Sequence, residues 1–185
     1  MTTLISMIRG INVGGSRPIK MDRLRELYLG LGFGRPRTYL QSGNVVCEAR
    51  DSQVRGQAGA VERRILRDCG FEVSVAVRTA GEMSEVLAAN PLAGRPSIDP
   101  RFLHATFLVG GGGKASLEGI EIPFLKGEEA ILVGDVLYLY CPNGYGNTKI
   151  NNTFFERKLG VRATTRNWQT VTSLEKMARE GALPA

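Results

Sequence analysis

Cysteine is scarce in this sequence: 185 residues carry three, Cys47, Cys69 and Cys141, an odd set without C-x-x-C spacing. That excludes a disulfide framework and a zinc site of the usual spacing, and it makes buried free thiols the expectation. There is one histidine, His104, inside a predicted strand, with no carboxylate partner identifiable for a general base. No H-x-x-x-H, H-E-x-x-H or nucleophile elbow occurs, so metal-hydrolase and serine-hydrolase chemistry lack support. No apolar run approaches the ~18 residues of a membrane span, and Arg9 stands too early for a secretory signal. The expected compartment is the cytosol, where the sequon Asn151-Asn152-Thr153 is idle. Aromatics make up only 7%, with Trp168 the single tryptophan.

What the chain does have is the composition of a folded protein, with 43% hydrophobic and 23% charged residues and a mean hydropathy of -0.09. One domain or two small halves fit. The net charge of +6 is uneven: residues 1–79 hold 13 basic and 7 acidic side chains, and residues 80–185 hold 11 of each. Eighteen of the 24 cations are arginine, the residue suited to bidentate contacts with phosphate or carboxylate. A solvated surface and an anionic partner both account for such an excess.

Hydrophobic spacing sets out the elements. A short apolar strand at 3–9 runs into G-I-N-V-G-G, and Met21, Leu24, Leu27, Tyr28 and Leu31 mark a helix stopped by Gly32. Arg37–Gln41 and Asn44–Glu48 flank Ser42-Gly43, a two-residue hairpin signal. Val54, Ala58, Val61, Ile65 and Leu66 predict a helix over 52–69 with Gly70 as its C-cap, and Phe71–Val77 alternates as a strand. The order is β-α-β-β-α-β, the split βαβ pattern of ferredoxin-like sandwiches. A helix at 80–89 leads to a Pro-rich linker, after which the order recurs in reduced form. The second set is a strand at 102–109, a loop at Gly110–Gly113 with at most a helical turn after it, and a hairpin across Gly134-Asp135. A helix at 149–159, a strand at Val161–Thr164 and a closing helix at 171–178 complete it. The predicted fold is therefore α+β: two tandem ferredoxin-like halves, the second reduced in its first helix, packed as one compact unit. Their bounds are 1–89, a linker at 90–100, and 101–185 with the C-terminal helix.

The strings R-G-I-N-V-G-G at 9–15, T-Y-L-Q-S-G-N-V-V at 38–46, V-R-T at 77–79, A-A-N-P at 88–91 and A-T-T-R-N-W-Q-T-V at 163–171 run in one order along the chain. Together they resemble the bacterial domain-of-unknown-function family numbered 1697. The resemblance implies fold and size, an α+β protein of about this length, and carries over no catalytic residue.

Several segments carry candidate chemistry. Gly10–Ser16 fails the Walker A pattern because Ser16 and Arg17 stand where Lys and Ser/Thr belong; it reads as a turn, or as amides and Asn12 holding a phosphate. Gly113-Lys114 fails as well, with Ala115 in place of the hydroxyl. The segment Thr164–Trp168 combines a guanidinium fork at Arg166, a donor and acceptor at Asn167 and a stacking ring at Trp168, with Thr170 or Thr172 as the following N-cap. The same residues could instead brace the core. Asn147, Lys149, Asn151 and Asn152 form another donor cluster. Tyr138 and Tyr140, two apart on one strand beside Phe102 or His104, would be the stacking platform of a nucleic-acid binder, or would cover a helix.

The expected site is a polar, cationic cleft between the halves, formed by Arg9, Asn12, Ser42, Asn44, Lys149, Arg166, Asn167 and Trp168. It would bind an anionic ligand: a nucleotide, a phosphorylated metabolite or, with less support, a nucleic acid. The alternatives are an enzyme on a phosphorylated or carboxylated small molecule, and a protein-interaction module. No cofactor, metal or membrane partner is expected.

Overall fold

A computed structural model describes residues 1–110 and 115–182. Most of the loop expected at Gly110–Gly113, together with Lys114, lies outside the described residues. The chain divides into two compact units, Met1–Ser84 with the residues from Ser173 on, and Glu85–Thr172. The expected bounds placed the whole closing helix in the second half; here only its first turn lies there.

In the first unit, β1 (Thr2–Ile8), β2 (Gly34–Tyr39), β3 (Asn44–Ala49) and β4 (Val75–Thr79) form an antiparallel sheet of order β2-β3-β1-β4. Its helices are α1 (Met21–Gly30), α2 (Asp51–Val54) and α3 (Gln57–Cys69), with α4 (Ala80–Ala88) leading out. Leu4 and Ile8 of β1, Val45 and Cys47 of β3, and Val75 of β4 share the sheet face that packs on Leu24, Leu27 and Tyr28 of α1 and Val61 and Ile65 of α3. Each of the Leu, Ile and Val side chains contributes about 1.5–3 kcal/mol by leaving water. Gly70 caps α3 with φ +80° as expected. The expected helix over 52–69 is two helices, because Gly56 takes φ +88° and interrupts the hydrogen-bond ladder. The hairpin loop is longer than two residues: Tyr39 pairs with Asn44, so the loop is 40–43, and Leu40 and Gly43 both hold positive φ.

In the second unit, β5 (Leu103–Val109), β6 (Glu129–Val133), β7 (Val136–Tyr140) and β8 (Arg162–Asn167) form a second antiparallel sheet, of order β6-β7-β5-β8. α5 (Asn152–Leu159) precedes β8, and α6 (Trp168–Ala182) follows it. Leu108, Leu137, Leu139 and Ala163 pack on Ile150, Phe154 and Phe155. Between β5 and β6 the described residues hold no helix; Leu117, Ile120 and Ile122 cover this core from irregular chain. The Gly134-Asp135 turn is the expected two-residue hairpin, with Val133 paired to Val136.

α6 carries the chain back into the first unit. There Tyr39 Oη donates to Ser173 Oγ at 3.1 Å, Arg37 donates to the carbonyl of Met177, and Ser84 Oγ donates to Glu175 Oε1 at 2.8 Å. Among the described residues no helix is long and apolar enough to cross a membrane.

Candidate functional site

The eight residues singled out from the sequence fall into two sets, one in each unit. In the first unit Asn12 holds φ +55° and spends its side chain on the backbone. Its Nδ2 donates to the carbonyls of Ile19 at 2.9 Å and Gln41 at 2.8 Å, and its Oδ1 accepts from the Ile19 N–H at 2.8 Å. Asn44 is buried, donating to the Tyr39 carbonyl and to Ser42 Oγ, both at 3.0 Å. The N–H of Arg9 donates to the Ser74 carbonyl at 2.8 Å. The strings at 9–15 and 38–46 therefore clamp one another, loop to loop. Gly14 and Gly15 turn at positive φ between the bridged pair Val13 and Ser16.

The positive excess of this unit is partly consumed at its surface. Asp68 receives Arg23, Arg64 and Arg67, Arg25 pairs with Asp22, and Arg35 pairs with Glu48. The Arg64 hydrogen bond, then that of Arg67, holds the Asp68 carboxyl below its ordinary range.

In the second unit β8 runs further than Val161–Thr164, to Asn167, which puts Arg166 in the sheet opposite Ala105. Arg166 is 9% exposed, and its Nη1 donates to Thr164 Oγ1 at 2.9 Å and to the Thr165 carbonyl at 2.8 Å. Burial pushes its guanidinium down to about 10, which leaves it charged at neutral pH. Of the two readings open from the sequence, a ligand-facing fork and a structural brace, a buried strand residue fits the brace. Asn167, not Thr170 or Thr172, caps α6: its Oδ1 accepts from the Thr170 N–H at 2.8 Å. Trp168 opens the helix half-buried, its indole 6.3 Å from the Tyr138 ring in an edge arrangement. Lys149 is exposed ahead of α5, whose cap is Asn151.

Asn167 and Trp168 line a cavity of about 320 Å³ together with Pro100, Arg101, Gln169 and Thr172. The Arg101 guanidinium is largely exposed and takes Asp99 through Nε and Nη2 at 2.6–3.2 Å, leaving Nη1 without a partner among the described hydrogen bonds. That pairing holds the Asp99 carboxyl below its ordinary range and raises Arg101. Thr172 Oγ1 donates to the Gln169 carbonyl at 2.9 Å, so it offers a ligand lone pairs only. The wall combines a guanidinium, an indole, two amides and a hydroxyl.

A family model described as Protein of unknown function (DUF1697) matches residues 1–138. The chain belongs to this family. The strings from 9 to 91 lie within the matched stretch, and the string at 163–171 lies beyond it. Among solved structures, that of the conserved bacterial protein SP0830 from Streptococcus pneumoniae aligns with a TM-score of 0.77 at 20% identity, covering 97% of this chain and 99% of the other. At that identity the likeness speaks to the fold. No curated protein matches.

Several further side chains of the DUF1697 chain bond or pack within its own fold. Tyr138 is buried and donates to the Val86 carbonyl at 2.8 Å, so it is no open stacking platform. His104 pairs with Leu139, on the sheet face opposite Tyr138; it stacks on Tyr145 at 4.7 Å, its Nδ1 meets the Phe102 carbonyl at 3.1 Å, and burial lowers its pKa. Tyr145 Oη donates to Thr165 Oγ1, which donates to Asn152 Oδ1 at 2.7 Å. Burial pushes the Cys47 and Cys141 thiols up to about 12, which makes them inert at neutral pH. Among the described residues no group of three or more His, Cys, Asp or Glu side chains could hold a metal ion. Sequence reasoning missed Arg101, Gln169 and Thr172. Arg101 borders the proline-rich stretch, and only its closeness in space to Trp168 singles it out.

Proposed function

We propose that this DUF1697 chain binds an anionic small molecule, a nucleotide or phosphorylated metabolite, in the cavity beside Trp168. One observation carries the reading: Arg101 lines one cavity with Asn167, Trp168, Gln169 and Thr172, a segment more than sixty residues further along the chain. Its volume lies at the lower end of the ~300–1,000 Å³ usual for small-ligand sites. The burial of Tyr138 favours a small ligand over a nucleic acid, which would need exposed rings in the sheet. Arg166 supports the site from behind as a strand residue, and Arg9, Asn12, Ser42 and Asn44 brace the loops of the first unit. Each unit is ferredoxin-like in this reading, the second lacking its first helix, which the matching strand orders β2-β3-β1-β4 and β6-β7-β5-β8 support. The three free thiols fit a reducing cytoplasm.

A thermal-shift screen of nucleotides, sugar phosphates and phosphorylated acids tests the reading. A ligand at 100 times its Kd adds about 2.7 kcal/mol. At about 2–4 °C per kcal/mol for a chain of this size, that is a rise of about 5–10 °C in Tm. Arg101→Gln should remove most of the rise. If no anion in the screen raises Tm, the reading fails.

A further inference from the structure

We infer that the ligand of this site is a mononucleotide whose base stacks on the Trp168 indole while its phosphate meets Arg101. The inference rests on the anion-binding reading above and adds the part of the ligand that a bare phosphate contact leaves undefined. The indole is held in advance: its ring sits at 66° to that of Tyr138, and Tyr138 is fixed by its hydrogen bond to the Val86 carbonyl. A large flat side chain held in place, half-buried on a cavity wall, has little ordering left to lose when a ring settles on it. A sugar phosphate or a carboxylic acid would leave that surface unused. Indole and base attract through their π-faces whatever the base, and removing such an aromatic typically weakens binding by about 5- to 150-fold.

The polar atoms around the indole suit the edge of a base. Asn167 Oδ1 is taken by the Thr170 N–H, so this residue offers its Nδ2 as a donor. The Thr172 hydroxyl proton is taken by the Gln169 carbonyl, so Thr172 accepts. The exposed Gln169 amide does both. Arg101 provides the charge. Asp99 occupies one side of its fork, and its Cζ lies 5.9 Å from the centre of the Phe102 ring, which together orient the guanidinium and leave Nη1 for a phosphate oxygen. A cavity of about 320 Å³ holds one ring and one phosphate group rather than an extended polymer.

Because Trp168 is the only tryptophan, all tryptophan emission comes from a residue on this cavity's wall. The experiment titrates the full chain with AMP, GMP, UMP, ribose 5-phosphate and adenosine at fixed ionic strength, reading tryptophan emission and, in parallel, binding by calorimetry. At least one nucleotide should quench the emission and bind 10-fold or more tighter than ribose 5-phosphate. Trp168→Leu should abolish that preference, and Trp168→Phe should keep part of it, which separates loss of stacking from loss of fold. Ribose 5-phosphate binding as tightly as every nucleotide overturns the stacking inference and leaves the anion reading standing. Adenosine binding as tightly as AMP overturns the phosphate contact and with it the anion reading. Saturable nucleotide binding with unchanged emission and an unaffected Trp168→Leu variant places the nucleotide elsewhere and overturns the inference. Binding by none of the five overturns the inference, and failure of the wider anion screen is the separate result that removes the reading beneath it.

Discussion

Gly43 is seated against Ile11: a β-carbon built on it would stand 2.9 Å from both Cγ1 and Cδ1 of Ile11, and its φ is +79°. Its carbonyl also accepts the Ile8 N–H at 2.8 Å, which ties the hairpin loop to the end of β1. Gly43→Ala meets both the left-handed backbone and the closed space, and should cost about 2–4 kcal/mol. Urea unfolding of the two proteins measures it, and an alanine variant of unchanged midpoint would contradict the packing described.

Asn12→Ala removes two donors and one acceptor from the clamp between the loops at 10–19 and 40–43. The expected loss is about 1–3 kcal/mol, since the Ile19 and Gln41 groups lose partners they cannot fully replace. Asn12→Gly should recover only the part due to the positive φ. Hydrogen exchange of the Ile19 amide gives a local readout: it should quicken in both variants.

His104 is the only histidine, and burial lowers its pKa in the folded chain. The unfolded chain therefore takes up a proton near pH ~6.5 that the folded chain resists. This contribution is fully present above pH ~6.5 and is lost as the pH falls through the lowered folded value. A proton NMR titration should show one imidazole resonance with its midpoint below ~6.5. The dependence of Tm on pH between about 5 and 7 should be shallower in His104→Gln than in the parent chain.

Asp99→Asn should strengthen anion binding at the cavity by about 3- to 30-fold, since it removes a carboxylate held on the Arg101 fork. Asparagine keeps an oxygen for the Arg101 N–H that the Asp99 side chain now accepts, so the short turn at Pro100–Phe102 stays capped. Calorimetry at low and high salt checks the change, which should shrink as salt screens it. Unchanged affinity would remove Arg101 from the site.

Features decided by adjacent residues were legible in the sequence. The Gly134-Asp135 turn, the glycine closure at Gly70 and the succession of strands and helices along the chain follow from turn chemistry and periodicity. Features decided by distant partners were not. Arg166 looks like a surface donor by residue type, and its burial comes from the sheet around it. Tyr138 looks like half of a stacking pair until its hydroxyl is seen on Val86. The helix over 52–69 has a continuous apolar stripe, yet a single left-handed glycine divides it. Two of the six residues that line the candidate cavity, Asn167 and Trp168, were named from the sequence as site residues. Arg101 belongs to a separate stretch of chain that only folding brings alongside.

The path of α6 has a consequence for synthesis. The ribosome releases Met1–Ser84 first, yet the piece from Ser173 on that completes this unit is made only after all of Glu85–Thr172. At roughly 5–20 residues per second, the first sheet waits about 5–20 s for its last helix. Throughout that interval the edge strand β2 stands without Ser173 and Met177, its later partners. Its sequence, Gly34-Arg35-Pro36-Arg37, carries two charges, a proline that cannot donate to a neighbouring strand, and a register break between Gly34 and Arg37. Those are the devices that keep an open edge from recruiting another chain. The same Arg37 that later holds the Met177 carbonyl thus guards the nascent sheet until that carbonyl arrives.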